Sequence, residues 1–477
     1  MAKPEDISMS EYVTYNDGAI EETSPQFFHK NIFWGITFGT SCILAFFLYL
    51  AGYLFAAVSC IGLTLAVAMF IVPQLAFYVY FVLQSLDPIF ISAKNIITPG
   101  KVLSLVIILV YIVSFFSSRK QILVSKSVIV IMLLFGLFGL LGSPFALSPL
   151  IALRYSLQVM IHIVLIIAAL QLLYNENFVY SAFLWCFIGG VFAGIIMLIT
   201  GGISSQFGRG TLGEFANPNT TAFAFSVSLM SLAGLWCFKR PKLYYVIYLL
   251  GGVIIFIGMM KTGSRASLIA IFFALSLGIM LSRRIKITKR IFMPILLSLV
   301  LGFGVLSVLK FGLLDEKSQV RLELLLSSVG MEHDISDGRL DIWGKVLSTY
   351  FEKRPVLGFG FGNSNIAMKI YHGKGKDIHS SLFGPLCDSG PIGFILFICG
   401  LFILYLRIRV IDNSRMNLAA TMIFVFLIIS SIVHTIHFTK WFWIPVTMCL
   451  LLAELSRHEE LEEYGESVPK NTISVRE

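Results

Sequence analysis

Apolar positions in this chain fall in long continuous runs, and the polar positions between them fall in short packets. Strict alternation, the mark of a half-buried strand or a membrane barrel, is absent from these runs. A helix needs roughly 20 predominantly apolar residues to cross a hydrocarbon core of about 30 Å. The run over 32–86 is long enough for two or three such helices, with Pro73 as one break. Further spans are predicted at about 101–117, 127–144, 150–173, 178–200, 218–238, 243–260, 264–282, 291–310, 382–405, 416–433 and 439–455. Counted plainly this gives 14 spans, or 12 to 13 if the crowded N-terminal run is merged. In lipid only helices or closed barrels satisfy their backbone polar groups. The expected fold class is therefore an all-α polytopic membrane protein, a bundle of about 12–14 transmembrane helices.

One long polar interruption breaks the pattern, over 311–381. The expected organisation is a tail at 1–31, a bundle over 32–310, a loop domain over 311–381, further membrane helices over 382–455 and a tail over 456–477. Within the loop, Ser336 or Asp337 can cap a helix in which Leu340, Trp343, Val346 or Leu347, and Tyr350 recur at helical spacing. Arg354-Pro355 and Gly358 then stop it. Such an amphipathic helix lies on the bundle, with Trp343 either anchored at the interface or packed. Gly358–Gly362 lacks a phosphate-loop signature and reads as turn material. The acidic last stretch, with Glu459, Glu460, Glu462 and Glu463, reads as a solvated, partly disordered end.

Composition agrees with the pattern. The chain is 57% hydrophobic and only 13% charged, against about 25% charged in a soluble domain. Its net charge of +9 does not point to nucleic acid, because the basic residues sit in packets between spans. Residues 1–30 are polar and acid-rich, so no cleavable signal is expected there. The seven cysteines show no pairing or metal spacing and read as fillers of apolar runs.

Charge sets the orientation. The packets Arg119/Lys120/Lys126, Lys239/Arg240/Lys242, Arg283/Arg284/Lys286/Lys289/Arg290 and Arg407/Arg409/Arg415 are expected on the cytoplasmic side. Four, two and two spans separate them, an even number each time, so the assignment is self-consistent. Both termini then lie inside, and 87–100, 145–149, 201–217, 260–264, 311–381 and 434–438 fall on the outer face.

Three arginines stand on that outer face, apart from the cytoplasmic packets: Arg209 in Phe207-Gly208-Arg209-Gly210, Arg265 after Lys261-Thr262-Gly263-Ser264, and Arg339 in the long loop. A single arginine at a span end caps a helix or snorkels. Three with glycine close by in sequence suit an anion site, since guanidinium pairs bidentately with phosphate oxygens. Arg154 is a fourth candidate, near the outer end of its span. His379, at the entrance of the next span, can take a proton from a hydroxyl near neutral pH, although a lone histidine is more often structural. Glu214 and Asp388 are candidate helpers. His162 reads as a core residue, and His434 with His437 lacks the local Cys or carboxylate of a metal site, so no metal is expected.

Together these stretches resemble the O-antigen ligase and polymerase family of bacterial envelope enzymes. The resemblance rests on Arg209 with Asn217-Pro218-Asn219, Thr262-Gly263-Ser264-Arg265, Asp337-Gly338-Arg339 with Trp343, Pro355-Val356-Leu357-Gly358-Phe359-Gly360, and His379 followed by Gly390 and Gly393. It implies a multi-pass protein of the inner membrane whose long loop faces the periplasm. It also implies a glycosyltransferase that uses neither metal nor cofactor. The implied donor is a glycan on undecaprenyl diphosphate, held by Arg209, Arg265 and Arg339. The implied base is His379, which activates a hydroxyl of a glycan acceptor (polymerase) or of a lipid A core (ligase). Displacement would be inverting. The implied partners are membrane lipids and a chain-length regulator or flippase, with no nucleic acid. Family members commonly carry asparagine after the histidine, where this chain has Ser380. A more distant reading, a small-anion transporter, places its charges near the membrane midplane, whereas here they gather at the outer mouth.

Overall fold

The structure, a computed structural model, describes residues 54–90, 98–118, 126–200, 203–204, 210–213, 216–282, 339–373, 375 and 378–467. Arg209, Glu214, the expected cap at Ser336 or Asp337, the span at 291–310, and the tails at 1–31 and 468–477 lie outside these residues. The chain divides into two compact units, Met1–Val72 and Pro73–Glu477. The first contributes one described helix, α1 (Leu54–Ile71).

The second unit is an antiparallel succession of helices: α2 (Pro73–Leu86), α3 (Pro99–Ser118), α4 (Lys126–Gly142), α5 (Pro149–Leu172), α6 (Glu176–Ile199), α7 (Pro218–Leu235), α8 (Lys242–Lys261) and α9 (Arg265–Leu281). The loop helices α10 (Arg339–Lys353) and α11 (Ser364–His372) follow, then α12 (Phe383–Arg409), α13 (Ser414–Val433) and α14 (Lys440–Ser467). A two-residue ladder, β1 (Ile203–Ser204) with β2 (Gly210–Thr211), is the one sheet among the described residues. Seven of the described helices are long and apolar enough to cross a membrane, and α9 is apolar but shorter. Their outward faces carry large apolar side chains such as Leu249, Leu250 and Phe402, as a lipid environment requires. This is an all-α polytopic membrane protein.

The helices begin where the sequence supplies starts. Pro149 and Pro218 occupy first turns, where a missing N–H costs nothing. Asn175, Asn217 and Asn413 cap α6, α7 and α13 by accepting bonds from first-turn N–H groups. Helix α7 is largely buried, with Ser226, Ser228 and Ser231 in its interior. There the Ser228 hydroxyl pairs with Gln84 at 3.0 Å and Ser85 at 2.6 Å.

Two features depart from expectation. Helix α14 does not stop at 455 but runs on to Ser467, because the Glu-rich stretch after Leu455 is made of good helix formers. The glycine run at 358–362 is more than turn material. Gly358, Gly360 and Gly362 all adopt positive φ, and this segment straps the loop domain to α12. That helix breaks at Gly390 (φ 66°, ψ −171°) just before Pro391. Pro391 has no N–H to offer the carbonyl of Cys387, one turn earlier. The strap replaces it: Phe359 N–H donates to Cys387 C=O at 2.8 Å and Gly360 N–H to Asp388 C=O at 2.9 Å. A side chain at Gly390 would collide with the Val356 carbonyl oxygen.

On this strap sits a small core of Ile342, Val346, Tyr350, Phe359, Ala367, Met368, Ile378 and Cys387. It holds α10 and α11 against the N-terminal end of α12. The turn before α5 is tied in as well, Leu147 N–H to Phe359 C=O and Ser148 N–H to Asn363 Oδ1, both at 2.9 Å.

Candidate functional site

The site is assembled at the end of the bundle that carries α10 and α11. The α9–α13 pair packs extensively and antiparallel. At one end the Ser282 hydroxyl donates to Asn417 Oδ1 at 2.9 Å, and one turn along Gly278 lies against Met422. The same register carried to the other end brings Arg265, the first residue of α9, level with His434 at the end of α13. Helix α7 runs antiparallel to α13 too, with Phe223 edge-on to His434 (centroids 5.7 Å apart) and Cys237 beside Arg415. Gly210, next to Arg209 in sequence, packs on the Lys261 carbonyl at the end of α8. The strand that leaves the Arg209 segment thus adjoins the turn that presents Arg265.

Arg339 opens α10. One turn later the Trp343 indole N–H donates to the carbonyl of Ile378 at 2.7 Å, and its ring packs edge-on against Phe383 at 5.2 Å. Trp343 is therefore a packing residue that ties the Arg339 helix to the residue preceding His379.

His379 itself has φ 47°, the one non-glycine residue at positive φ among the described residues. A side chain held there costs about 1–3 kcal/mol and persists only where surrounding structure fixes it. Here the fixing comes from the next two residues. Ser380 Oγ accepts from the N–H groups of Leu382 and Phe383, both at 3.2 Å, and so starts α12. The buried Ser381 hydroxyl donates to His434 C=O at 2.7 Å and accepts from Ile436 N–H at 2.5 Å and His437 N–H at 3.0 Å. Its donor and both its lone pairs are thereby used. The Ser381 N–H caps the Ser431 carbonyl at the end of α13 at 2.6 Å.

His434 reports how these groups gather. Its pKa is pushed down to about 3, first by burial and then by the positive charges of Arg339 and His379. Basic groups from α10 and from the start of α12 therefore act on one buried imidazole, with Arg265 at the same level. Such a gathering can hold an oxyanion and set a titratable imidazole beside it.

The remaining candidates fall elsewhere. The Asp388 side chain is buried, accepts from Gly362 N–H at 3.1 Å and lies 3.9 Å from His437 Nε2, so it belongs to the strap. Arg154 lines a separate cavity with Lys101 and Lys440, in which none of Arg265, Arg339 and His379 takes part. His162 is buried and stacked on Trp443 at 6.2 Å. His434 and His437 serve different neighbours, Phe223 for one and Phe397 and Phe438 for the other. No group of three or more potential metal ligands lies together among the described residues. Sequence reasoning weighed His434 only as half of a metal pair. Its place at an outer helix end, opposite two expected cations, was the signal that could have singled it out.

No curated protein matches the chain significantly. Residues 250–398, the stretch that presents Arg265, Arg339, His379, the glycine strap and Gly390, match the family model Wzy_C, described as O-antigen ligase. This domain match is consistent with the O-antigen ligase/polymerase family and supports glycan transfer of that type in the cell envelope.

Proposed function

We propose that the protein transfers an oligo- or polysaccharide from an undecaprenyl-diphosphate donor to an acceptor hydroxyl, on the periplasmic side of the inner membrane. The observation that carries this reading is the gathering of Arg339 and His379 about His434, with Arg265 at the same helix level. Arg265 and Arg339, with Arg209 from the adjoining segment, hold the diphosphate. His379 takes the acceptor proton as the acceptor oxygen attacks the anomeric carbon. The bond from that carbon to the diphosphate oxygen breaks with inversion, and the electron pair leaves on the diphosphate, where the guanidinium groups balance its charge. The residues suffice for this without metal or cofactor, because the leaving group is already an anion. Asp388 helps by holding the strap; Glu214, next to the Arg209 segment, is a candidate for orienting the acceptor.

Orientation is supported by the opposite end of the bundle, where Lys239, Arg240 and Lys242 lie between α7 and α8 and Arg407, Arg409 and Arg415 near the α12–α13 turn. We read the acceptor as a second lipid-linked oligosaccharide, making the enzyme a repeat-unit polymerase. The ligase reading, with a lipid A core as acceptor, is favoured by the printed description of the matched family. A chain-length regulator and a flippase are the protein partners that a polymerase would keep.

The test is a surface-polysaccharide ladder from cells expressing His379→Ala or Arg265→Ala at wild-type level. Both should insert normally and lose transfer, His379→Ala by about 10²–10⁴-fold. A wild-type ladder from both variants would end the mechanism. Purified lipid-linked oligosaccharide as sole substrate separates the two readings: elongation identifies a polymerase, and a requirement for added lipid A core identifies a ligase.

A further inference from the structure

The end of α10 meets the bundle low on its side, at a depth that two helices fix. Both start from one level, because Arg407 near the end of α12 donates to Ser127 Oγ at the start of α4 at 3.3 Å. A charged group stays at or outside the hydrocarbon edge, so the slab begins at or beyond that level. Along α12, Gly390 lies 17 residues before Arg407, a rise of about 26 Å. Along α4 and the short turn Ser143–Phe145, Phe145 lies 19 residues after Lys126, a rise of about 30 Å. A hydrocarbon core is about 30 Å thick, and any helix tilt lowers both levels. Both therefore fall at or inside its far edge. The end of α10 rests on these two points. The Val356 carbonyl lies against Gly390, and the Arg354 guanidinium donates to the Phe145 carbonyl.

The side chains beside these contacts are apolar and face outward: Phe351, Val356 and Leu357 are all exposed. The bundle surface next to them is exposed and apolar too, with Leu141 and Phe145 on one side and Ile392 on the other. The patch thus continues the lipid-facing surface of the bundle. Lys353, paired with Glu352, and Arg354 sit between the apolar residues. Segments that lie in a membrane interface have this make-up, their charges snorkelling to the headgroups.

We propose that the segment 351–357 anchors the loop domain in the nearer leaflet, with phospholipid acyl chains as its partner. Helix α10 descends towards the membrane: Trp343 packs on Phe383 at the start of α12, and Val356 reaches Gly390 seven residues lower. Leu340, the exposed apolar residue at the upper end of α10, stays in water. The anchor fixes the height of the helix that Arg339 opens. For a lipid-borne diphosphate it sets the reach of that arginine; this consequence rests on the glycan-transfer reading, whereas the membrane contact does not.

The experiment uses the full chain in phosphatidylcholine nanodiscs, with or without bromine near the top of the acyl chains, and tryptophan placed at exposed apolar positions. Six native tryptophans are present, so the emission that each substitution adds is read by difference. That added by Phe351→Trp should fall about twofold in brominated lipid, as a ring in the interface would, and should resist iodide in the water phase. That added by Leu340→Trp should do the reverse. Leu357→Trp repeats the first measurement should Phe351→Trp fail to accumulate. Equal iodide quenching at the two ends of α10 overturns the proposal. Protection of the lower position from both quenchers overturns it as well, since protein would then be the cover. His379→Ala should leave both quenching patterns unchanged, so a failure of the transfer mechanism shows in the ladder and a failure of this proposal in the quenching.

Discussion

The protein carries two clusters of basic residues at one end of its bundle, and they are built in opposite ways. The cluster of Arg265, Arg339 and His379 is positioned by backbone: a helix start, a strained φ of 47° and a strap of glycines at positive φ. The cluster of Lys101, Arg154 and Lys440 is positioned by side chains on ordinary helical turns and balanced in part by its own carboxylate, Asp87. Backbone-built sites tolerate little change near them, because the geometry has no slack. Side-chain-built sites tolerate change and can be retuned one residue at a time.

The largest effect that would separate them comes from glycine. Gly390→Val puts a branched side chain into the Val356 carbonyl at a positive φ, and should remove folded protein and transfer together. Gly100→Ala, at the rim of the cavity, meets chiefly the flexible ends of Asp87 and Lys440 at about 3 Å, and should accumulate at near wild-type level. The measure is the yield of monodisperse protein in detergent, followed by proteolysis of the loop. If Gly390→Val accumulated and transferred normally, the strap could not be what builds the arginine site.

A smaller effect is expected at Trp343. Trp343→Phe keeps the ring against Phe383 but leaves the Ile378 carbonyl without its donor, a loss of about 1–3 kcal/mol if that carbonyl stays dry. Transfer, read from the surface-polysaccharide ladder, should fall by about tenfold at unchanged expression. An unchanged ladder would mean that the bond from Trp343 to the Ile378 carbonyl does not position His379.

How far each cluster could be read in advance follows from how it is built. The helices were legible because their apolar runs are long: the expected 150–173 and 416–433 became Pro149–Leu172 and Ser414–Val433. Arg265, Arg339 and His379 could be named as candidates because glycine and turn residues mark them locally. The strap was not, since its partners, the carbonyls of Cys387 and Asp388, are exposed only by a break at Gly390 that lies 30 residues further on. The cavity was least legible. Arg154 could be named from its span end, but Asp87, Lys101 and Lys440 come from separate stretches of chain and each alone reads as a helix-end charge. The long C-terminal helix was missed because acidic residues after a span were read as solvated tail rather than as helix formers.

The smallest expected effect concerns pH and sharpens the contrast through His434. Its pKa in the folded protein is about 3, against an ordinary value of 6.5, because it is buried and faces the charges of Arg339 and His379. The folded state therefore declines a proton that the unfolded chain accepts below about 6.5. The stability that depends on neutral His434 is fully present above that value and falls away as pH drops towards 3. At pH 5 the loss should be about 2 kcal/mol, read as a lower thermal midpoint in detergent than at pH 7.5. His434→Gln cannot take up that proton, so its midpoint should change less between the two values. A wild-type midpoint as indifferent to pH as that of His434→Gln would mean that the folded protein protonates His434 readily. Neither its burial nor the basic groups Arg339 and His379 would then be holding it neutral, and the gathering about His434 would lose its support.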